Sequence, residues 1–251
     1  MSQKKLNKKL NLLFKNLKIK KGEKIILHSN IAGITQYQKI NKSSACNLFF
    51  NYLKKFIGKK GTLIIPTYNY DFTKGKAFDR KKTLSQVGEL GNHLIKKHSK
   101  NRTFDPIFSH IIFGKLKNKS LNCETNEAFG DKSIFNLIFK EKFKIICFCC
   151  SSSAMTFIHF IEKKMNVDYR FNKYFKSFVK IHKKKIKVKY KYYVGKKGFN
   201  YNLNEDKINQ ILKKKIIIKK FGRFNCSQID TKTLYNTIEV KLRNNKKILI
   251  K

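Results

Sequence analysis

The spacing of apolar residues predicts alternating helices and strands over the first two thirds of the chain. Apolar side chains recur every three or four residues from Leu6 to Leu17, which is typical of an amphipathic helix. Such a helix docks on the protein or lies on a membrane surface, and we expect docking. Further helices are predicted over 43–57 with a serine cap, over 86–98, and within 151–164 after capping serines. Apolar runs bounded by glycines or polar residues predict buried strands within 21–30, 62–66, 106–114 and 143–150.

This alternation predicts an α/β fold with a layered α-β-α core, in which helices flank a mixed sheet. Beyond residue 170 the pattern becomes β-rich. Strands are expected over 176–194 and 214–219, and helices over 204–214 and about 227–242. Because the chain shows no internal repeat, linker or low-complexity tract, we expect residues 1–251 to form a single domain. Its core would span 1–170, and 171–251 would be a β-rich C-terminal part of the same domain.

The chain carries 58 basic and 15 acidic residues, a net charge of +43. This positive field attracts polyanions such as CoA, nucleotide-sugars, nucleic acid or anionic lipid, and repels cations. Genomic codon bias toward lysine would give the same composition, so a solvated surface and a steering role both stay open. The run KKKIKVKYKYY (183–193) predicts a strand with one lysine-bearing face, which is more often solvated than bound to nucleic acid.

The six cysteines contain no CxxC pair. In the predicted strand FKIICFCC, Cys147 and Cys149 would point to one face and Cys150 to the other, so they could not share a metal. We therefore expect no metal, and cysteines that serve as small core residues in a reducing compartment. No apolar stretch reaches about 18 residues and the N-terminus lacks the apolar run of a signal peptide. The sequence thus predicts a cytoplasmic protein without a membrane span.

The strongest candidate for chemistry lies in the predicted helix after residue 150. Thr156, His159 and Glu162 follow one another at intervals of three residues and so lie along one side of that helix. A histidine beside a carboxylate is a plausible general base, with the carboxylate orienting the imidazole and stabilising the imidazolium. Taken alone, this spacing more often marks a structural His–Glu hydrogen bond with no catalytic role.

Six stretches in order carry further information. They are KKGEKIILHSN (20–30), GKKGTLIIPTYNY (58–70), VGELGNHLIKK (87–97), NRTFDPIFSHIIFGK (101–115), NEAFGDKSIFN (126–136) and MTFIHFIEKKMNVDYRF (155–171). In this order they resemble the aminoglycoside 3-N-acetyltransferase family, with its motifs HSS, G.GTL..PT, RS.HP..S, FG..S and T..H..E. The resemblance covers roughly residues 5–170. The DPIFS variant and the stretch 167–187 look closest to the branch associated with sugar modification in surface polysaccharide synthesis.

The resemblance implies an enzyme that moves an acetyl group from acetyl-CoA to an amine, with 1–170 as the cofactor-binding and catalytic core. His159 matches the family's catalytic histidine, Glu162 its carboxylate partner, and Thr156 a hydrogen-bond donor near the thioester carbonyl. Residues that match segments beside CoA are His28, Ser29 and Asn30, then Arg102, Thr103 and Ser109, and then Phe129, Gly130 and Ser133. Structural roles as a core histidine, a surface charge or turn residues stay open for several of these.

Two positions depart from the family motifs. Asn30 replaces the second serine of HSS, and Asp105 replaces the histidine of HP. Asp105 would either bind an acceptor ammonium or serve the turn before Pro106. The long polar loop 67–83 is the kind that often carries function, and from it Tyr68 and Asp71 join Asp105 as candidates for acceptor binding. The remaining histidines, at 93, 98, 110 and 182, are expected to be structural or exposed.

The strongly positive charge predicts an amino sugar as acceptor, nucleotide-linked or part of a glycan precursor, because a polycationic aminoglycoside would be repelled. An aminoglycoside acetyltransferase that confers resistance is the alternative within the family. A basic nucleic-acid-binding protein and a non-catalytic scaffold are alternatives of other classes, although no stacking or helix-turn-helix signature supports specific nucleic-acid binding. Self-association into a homo-oligomer stays open.

Overall fold

The computed structural model describes residues 3–181 and 184–251. Its α-helices are α1 Gln3–Asn16, α2 Ala32–Gln38, α3 Lys42–Ile57, α4 Glu89–His98, α5 Lys117–Leu121, α6 Ile134–Lys140, α7 Phe157–Lys164, α8 Glu205–Leu212 and α9 Thr231–Asn244. Its strands are β1 Lys24–Ser29, β2 Thr62–Pro66, β3 Phe78–Asp79, β4 His110–Gly114, β5 Lys144–Phe148, β6 Arg170–Ile181, β7 Lys184–Gly195, β8 Ile217–Phe221 and β9 Phe224–Asp230. Short 3-10 helices occupy Asp71–Lys74, Ser99–Asn101 and Ser152–Ala154.

A six-stranded mixed sheet with the order β4-β2-β1-β5-β9-β8 organises the fold. Its three middle strands β2, β1 and β5 run parallel, while β4, β9 and β8 are antiparallel to their neighbours. The carboxyl ends of the parallel strands therefore meet at one edge, which is where open α/β sheets bind ligands. The C-terminal third supplies both β8 and β9, so it completes the main sheet as well as adding a second one.

Side chains alternate between the two faces of the sheet and meet two helical layers. Ile25 and Leu27 of β1 pack in a cluster with residues of α1, α3 and α4. Ile26, between them, packs in a second cluster with residues of α6, α7, α8 and α9. Both faces of these strands are thus buried, which explains their nearly continuous apolar runs. The layered α-β-α arrangement predicted from the sequence is confirmed.

Several boundaries differ from those predicted. The cap of α3 is Asn41, whose side chain accepts from the backbone N–H of Ser44, rather than a serine. The strand predicted to begin at 106 begins at His110. The segment 224–230 forms β9, where a helix from about 227 was expected, and α2, α5 and α6 were not predicted.

The cysteine prediction is also corrected. Cys147 packs on one face of the sheet and Cys149 on the other. The strand ends at Phe148, and Cys149 takes a left-handed conformation with φ 55°, so the expected alternation stops there. All six cysteines are free thiols, and four of them are buried.

Strands β6 and β7 form a long antiparallel ribbon that pairs Arg170 with Gly195 at one end and Ile181 with Lys184 at the other. Strand β3 pairs with β6 and completes a three-stranded second sheet. The predicted strand 183–193 corresponds to β7, and Lys183 and His182 lie outside the described residues. Within 3–181 and 184–251, no helix is both long and apolar enough to cross a membrane.

Candidate active site

A cavity of about 340 Å³ lies at the carboxyl ends of the parallel strands. Strand β1 contributes His28 and Ser29, and the chain leaving β2 contributes Tyr68 and Tyr70. The remaining walls are Leu27, Ile65, Pro66, Val87, Gly88, Gly91, Cys150, Ser153, Ala154, Thr156 and His159. Of the residues proposed from the sequence, the fold thus brings His28, Ser29, Tyr68, Thr156 and His159 to one cavity.

The His159 ring is held from behind by Glu162. Nδ1 of His159 lies 2.6 Å from Oε2 of Glu162, one turn further along α7. The Glu162 side chain is fully buried, whereas 24% of the His159 side chain is exposed. Since Nδ1 faces the carboxylate, Nε2 is the nitrogen left for a ligand in the cavity.

Two further residues fix the Glu162 carboxylate. The Tyr169 hydroxyl donates to its Oε1 at 2.7 Å, and Nε of Arg170 lies 2.8 Å from its Oε2. Burial acts to raise the pKa of Glu162, but the charges of His159 and Arg170 and the hydrogen bonds outweigh it and hold the pKa below its usual range. Glu162 is therefore an anion at neutral pH. Tyr169 and Arg170 lie in the last of the six motif stretches (155–171), but the sequence predicted no role for either residue.

His28 stands at the end of β1 with a buried, uncharged ring. Burial lowers the pKa of His28 to about 4, so it is neutral at pH 7. Its Nε2 finds no hydrogen-bond partner within the part of the chain that the structure describes. A buried polar atom without a protein partner at a cavity wall is available to a ligand. Asn30, by contrast, lines a neighbouring cavity and accepts from the backbone N–H of Ala32.

The Tyr68 hydroxyl lies 3.0 Å from Nε2 of His110. Burial raises the pKa of Tyr68 well above its usual value, so the phenol is neutral. Burial, together with the nearby His28, lowers the pKa of His110 to about 3. Tyr68 lines the cavity, whereas His110, its partner, does not. The sequence did not predict this pair, because the spacing of the two residues along the chain shows no relationship.

At two glycines of the cavity wall the backbone approaches its neighbours closely. Gly88 has φ 75°, and a Cβ there would approach the carbonyl oxygen of Ser29 to 3.2 Å. A Cβ on Gly91 would come within 3.0 Å of the carbonyl oxygen of Pro66. Together with the unpartnered His28 nitrogen, these close approaches leave a polar wall between β1 and α4.

Arg102, Thr103 and Ser109 are buried and do not line the cavity. The Arg102 guanidinium donates to the hydroxyls of Thr67 and Ser109 and to the backbone carbonyls of Thr67, Arg80 and Thr83. Since each of its three side-chain nitrogens donates to a protein oxygen, Arg102 ties the loop after β2 to the segment before β4. These three residues were expected to contact CoA, and the fold places them beneath the loop that carries Tyr68.

The FG..S residues also serve local structure. The Ser133 hydroxyl donates to the carbonyl of Gly130 at 2.6 Å and caps α6 by accepting from the N–H of Asn136. Phe129 is buried, with its ring centroid 6.3 Å from that of His159. Phe129 thus packs beside the His159 ring, whereas Gly130 and Ser133 shape the turn that leads into α6.

The two acidic residues predicted to bind the acceptor make hydrogen bonds to other groups of the protein. Asp105 is buried, and its Oδ1 accepts from the backbone N–H groups of Ile107 and Phe108 while Tyr190 donates to both oxygens. Of the two roles considered for Asp105, the fold supports the turn before Pro106. Asp71 lies on the short helix after Tyr70, outside the cavity wall, where Lys76 donates to it at 3.0 Å.

Comparisons with known proteins agree with this architecture. The family model for aminoglycoside 3-N-acetyltransferases matches residues 26–243. The structure of the YokD protein from Bacillus subtilis superposes with a TM-score of 0.77 at 17% identity, covering 95% of this chain and 99% of that one. Aminoglycoside acetyltransferase AAC(3)-IVa, as apoenzyme, gives 0.76 at 14% identity with coverages of 98% and 91%. AAC-IIIb in its binary complex with CoASH gives 0.77 at 13% identity, with 97% of each chain covered.

At these identities the structural likeness shows the fold. Curated protein sequences gave no significant match. The family model, however, spans most of the chain, from Ile26 in β1 to Arg243 in α9. The chain therefore belongs to the aminoglycoside 3-N-acetyltransferase family and is an N-acetyltransferase that uses acetyl-CoA as its donor.

Proposed function

We propose that this enzyme acetylates the amine of an amino sugar, nucleotide-linked or part of a glycan precursor, with His159 as general base. The observation that carries this proposal is the 2.6 Å contact between His159 Nδ1 and the buried Glu162. In the neutral form of the ring the carboxylate accepts the Nδ1 proton, so that Nε2 presents a lone pair to the cavity. An acceptor amine must lose a proton as it forms the amide, and Nε2 can take that proton.

Glu162 supports this proton transfer through its charge. As Nε2 takes a proton, the ring becomes an imidazolium, and an anionic carboxylate at 2.6 Å stabilises that cation. Tyr169 and Arg170 hold the carboxylate in place, so its orientation needs no rearrangement during the reaction. The pair thus acts as a fixed base rather than as two mobile side chains.

We infer that two hydroxyls of the cavity wall stabilise the negative charge that develops during the reaction. Acetyl-CoA supplies the thioester carbonyl that the amine attacks. Thr156 and Tyr68 both line the cavity, and the Thr156 side chain is close enough to influence the pKa of the Tyr68 phenol. We assign these two hydroxyls to the oxygen on which charge develops, and the wall formed by His28, Ser29 and Gly88 to the donor arm.

The choice of acceptor rests on how the acidic side chains are used. Among the described residues that line the cavity, none is a carboxylate. Glu162 is covered by His159 and Arg170, Asp105 is buried under Tyr190, and Asp71 is flanked by Lys74 and Lys76. Two further carboxylates, of Asp79 and Asp168, are also paired, with Lys180 at 3.8 Å and Lys247 at 4.0 Å. A polycationic acceptor would therefore meet a positive field without local anions, whereas a sugar nucleotide would be attracted.

Aminoglycoside acetylation is the second candidate, because it is the activity that names the family. One structural neighbour, AAC-VIa, was solved with sisomicin bound, and it is 14% identical to this chain. The alternative requires acceptor carboxylates that the cavity wall of this chain does not offer.

Release of free thiol from acetyl-CoA tests the role of His159. We expect His159→Ala to lower kcat by ~10²–10⁴ with a folded protein, the usual contribution of a general base. His93→Ala is the matched control, because His93 on α4 bonds to Asn47 on α3 and does not line the cavity. Equal rates for the two variants would show that His159 takes no part in the reaction.

A further inference from the structure

The ribbon of β6 and β7 has one covered face and one open face. Ser177, Val179 and Tyr190 are buried on the face that packs against the protein. Residues directly opposite in an antiparallel pair share a face, so the pairs Tyr174–Lys191 and Phe178–Lys187 point the other way, into solvent. The side chains of this open face are Tyr174, Phe178, Lys176, Lys180 and, on β7, Lys185, Lys187, Lys189 and Lys191.

The lysines of the open face are not balanced by acids. Lys176 lies directly opposite Lys189, and Lys180 directly opposite Lys185, an arrangement that destabilises a sheet. Lys180 and Lys191 have carboxylates nearby, Asp79 at 3.8 Å and Glu127 at 3.2 Å. For the other four lysines, the described residues provide no carboxylate within ion-pair distance. An anionic partner would relieve this repulsion.

The ribbon end, defined as residues 176–181 and 184–189, also exposes apolar side chains on both of its faces. Phe178 is 43% exposed on the open face. Ile186 is 45% exposed on the opposite face, since it pairs with Val179 rather than with Phe178. Both lie at the end of the ribbon away from the Arg170–Gly195 pair, where β6 also pairs with β3 through Val179 and Lys180.

We propose that the ribbon end binds the surface of an anionic lipid bilayer. Phe178 and Ile186 would enter the headgroup layer, while the lysines of the open face contact lipid phosphates. Strand β7 is the outer strand of this sheet, so a bilayer that meets the ribbon end from the β7 side can reach Ile186 on one face and Phe178 on the other. The binding is peripheral. It localises the enzyme at a membrane surface and leaves the reaction that it catalyses unchanged.

Single-stranded nucleic acid fits the same charge but not the same geometry. Bases stack on free aromatic faces along one side of a sheet. Here Nζ of Lys189 lies 4.2 Å from the centroid of the Tyr174 ring and covers it. Ile186 points away from the face that carries Phe178, so it could not join a nucleic-acid track on that face.

Vesicle flotation tests the proposal, with phosphatidylglycerol–phosphatidylcholine vesicles compared with phosphatidylcholine alone. One variant removes charge, Lys185→Gln with Lys187→Gln, and a second removes apolar contact, Phe178→Ser with Ile186→Ser. The control Lys59→Gln with Lys60→Gln removes the same charge from the exposed turn before β2. Melting temperatures with and without acetyl-CoA show that each variant is folded and binds its donor.

We expect the unchanged enzyme to float with anionic vesicles only. The charge variant should bind anionic vesicles about tenfold or more weakly. Each lysine near such a surface raises membrane affinity about fivefold, and the variant removes two. The apolar variant should also weaken binding, and the control should not. Absence of anionic-vesicle binding, or an equal loss in the control, would overturn the proposal. So would binding of labelled single-stranded RNA that the charge variant abolishes while vesicle binding is unaffected.

Discussion

Nδ1 of His159 lies 2.6 Å from Oε2 of Glu162, and the same oxygen lies 2.8 Å from Nε of Arg170. The carboxylate is therefore shared between a ring that can gain a proton and a guanidinium that is always charged. This arrangement keeps Glu162 ionised in a buried position and keeps the His159 ring in one orientation.

Replacing Glu162 by Gln should impair both catalysis and folding. The amide keeps the size of the side chain but removes the charge that stabilises the imidazolium, so kcat should fall about a hundredfold or more. Loss of the anion also leaves Arg170 buried without a counter-charge, which costs about 3–5 kcal/mol. Steady-state kinetics and urea unfolding measure the two effects.

Glu239→Gln is the matched control for that variant. Glu239 accepts from Arg243 at 2.8 Å in a surface pair on α9, and such pairs contribute at most about 1 kcal/mol. Its kinetics should be unchanged. If Glu162→Gln behaved like Glu239→Gln, the carboxylate would have no part in holding or charging the His159 ring.

Replacing Tyr68 by Phe should slow the reaction more than it weakens donor binding. The change removes one hydroxyl from the cavity, and loss of a single donor to a developing oxyanion costs about 10²–10³ in kcat. Tyr70→Phe is the control, since its ring lines the same cavity. A rise in KM for acetyl-CoA without a fall in kcat would assign Tyr68 to binding alone.

Asp105 gives the protein a pH-dependent stability that a mutation should remove. Burial raises the pKa of Asp105 from 3.8 to about 7, against the hydrogen bonds from Phe108, Ile107 and Tyr190. Between these two values the folded protein holds a proton that the unfolded chain has released, so stability falls as the pH rises from about 4 to about 7. The effect has an upper limit of about 4 kcal/mol across this range.

Asp105→Asn keeps the acceptor for the two backbone N–H groups and cannot ionise. Its melting temperature should therefore decline less than that of the unchanged protein over the same pH range, as followed by circular dichroism. Parallel curves for the two proteins would show that the Asp105 carboxyl titrates with an ordinary pKa.

Arg102→Lys should lower stability without weakening donor affinity. A lysine cannot reproduce the five hydrogen bonds that the guanidinium donates, so we expect a loss of about 2 kcal/mol or more. Denaturant unfolding and the KM for acetyl-CoA separate the two effects. A raised KM at unchanged stability would restore the role beside CoA that the sequence motif implied.

The sequence indicated the sheet well where both faces of a strand are buried. The runs containing Ile25–Leu27 and Leu63–Ile65 are apolar because helices cover both sides of these strands. Strand β9 was not predicted, because its buried positions include the polar residues Ser227 and Gln228. Pairing with β5 holds these residues in the sheet although they are not apolar.

For the site, helical spacing was enough to place Thr156, His159 and Glu162 on one side of α7. It could not show that Tyr169 and Arg170 return to Glu162. That return depends on the end of α7, where Asn166 takes a left-handed conformation with φ 47° and redirects the chain into β6. Residues that come into contact across such a reversal produce no periodic pattern in the sequence, so spacing alone cannot predict the contact.

The acceptor preference of the purified enzyme tests the central claim most directly. The measurement is kcat/KM for a nucleotide-linked amino sugar and for a kanamycin-type aminoglycoside, with thiol release from acetyl-CoA as the readout. The structure predicts the higher value for the sugar nucleotide, and an advantage that shrinks as salt screens the positive field. Efficient acetylation of the aminoglycoside, with no turnover of amino-sugar nucleotides, would contradict the proposed function.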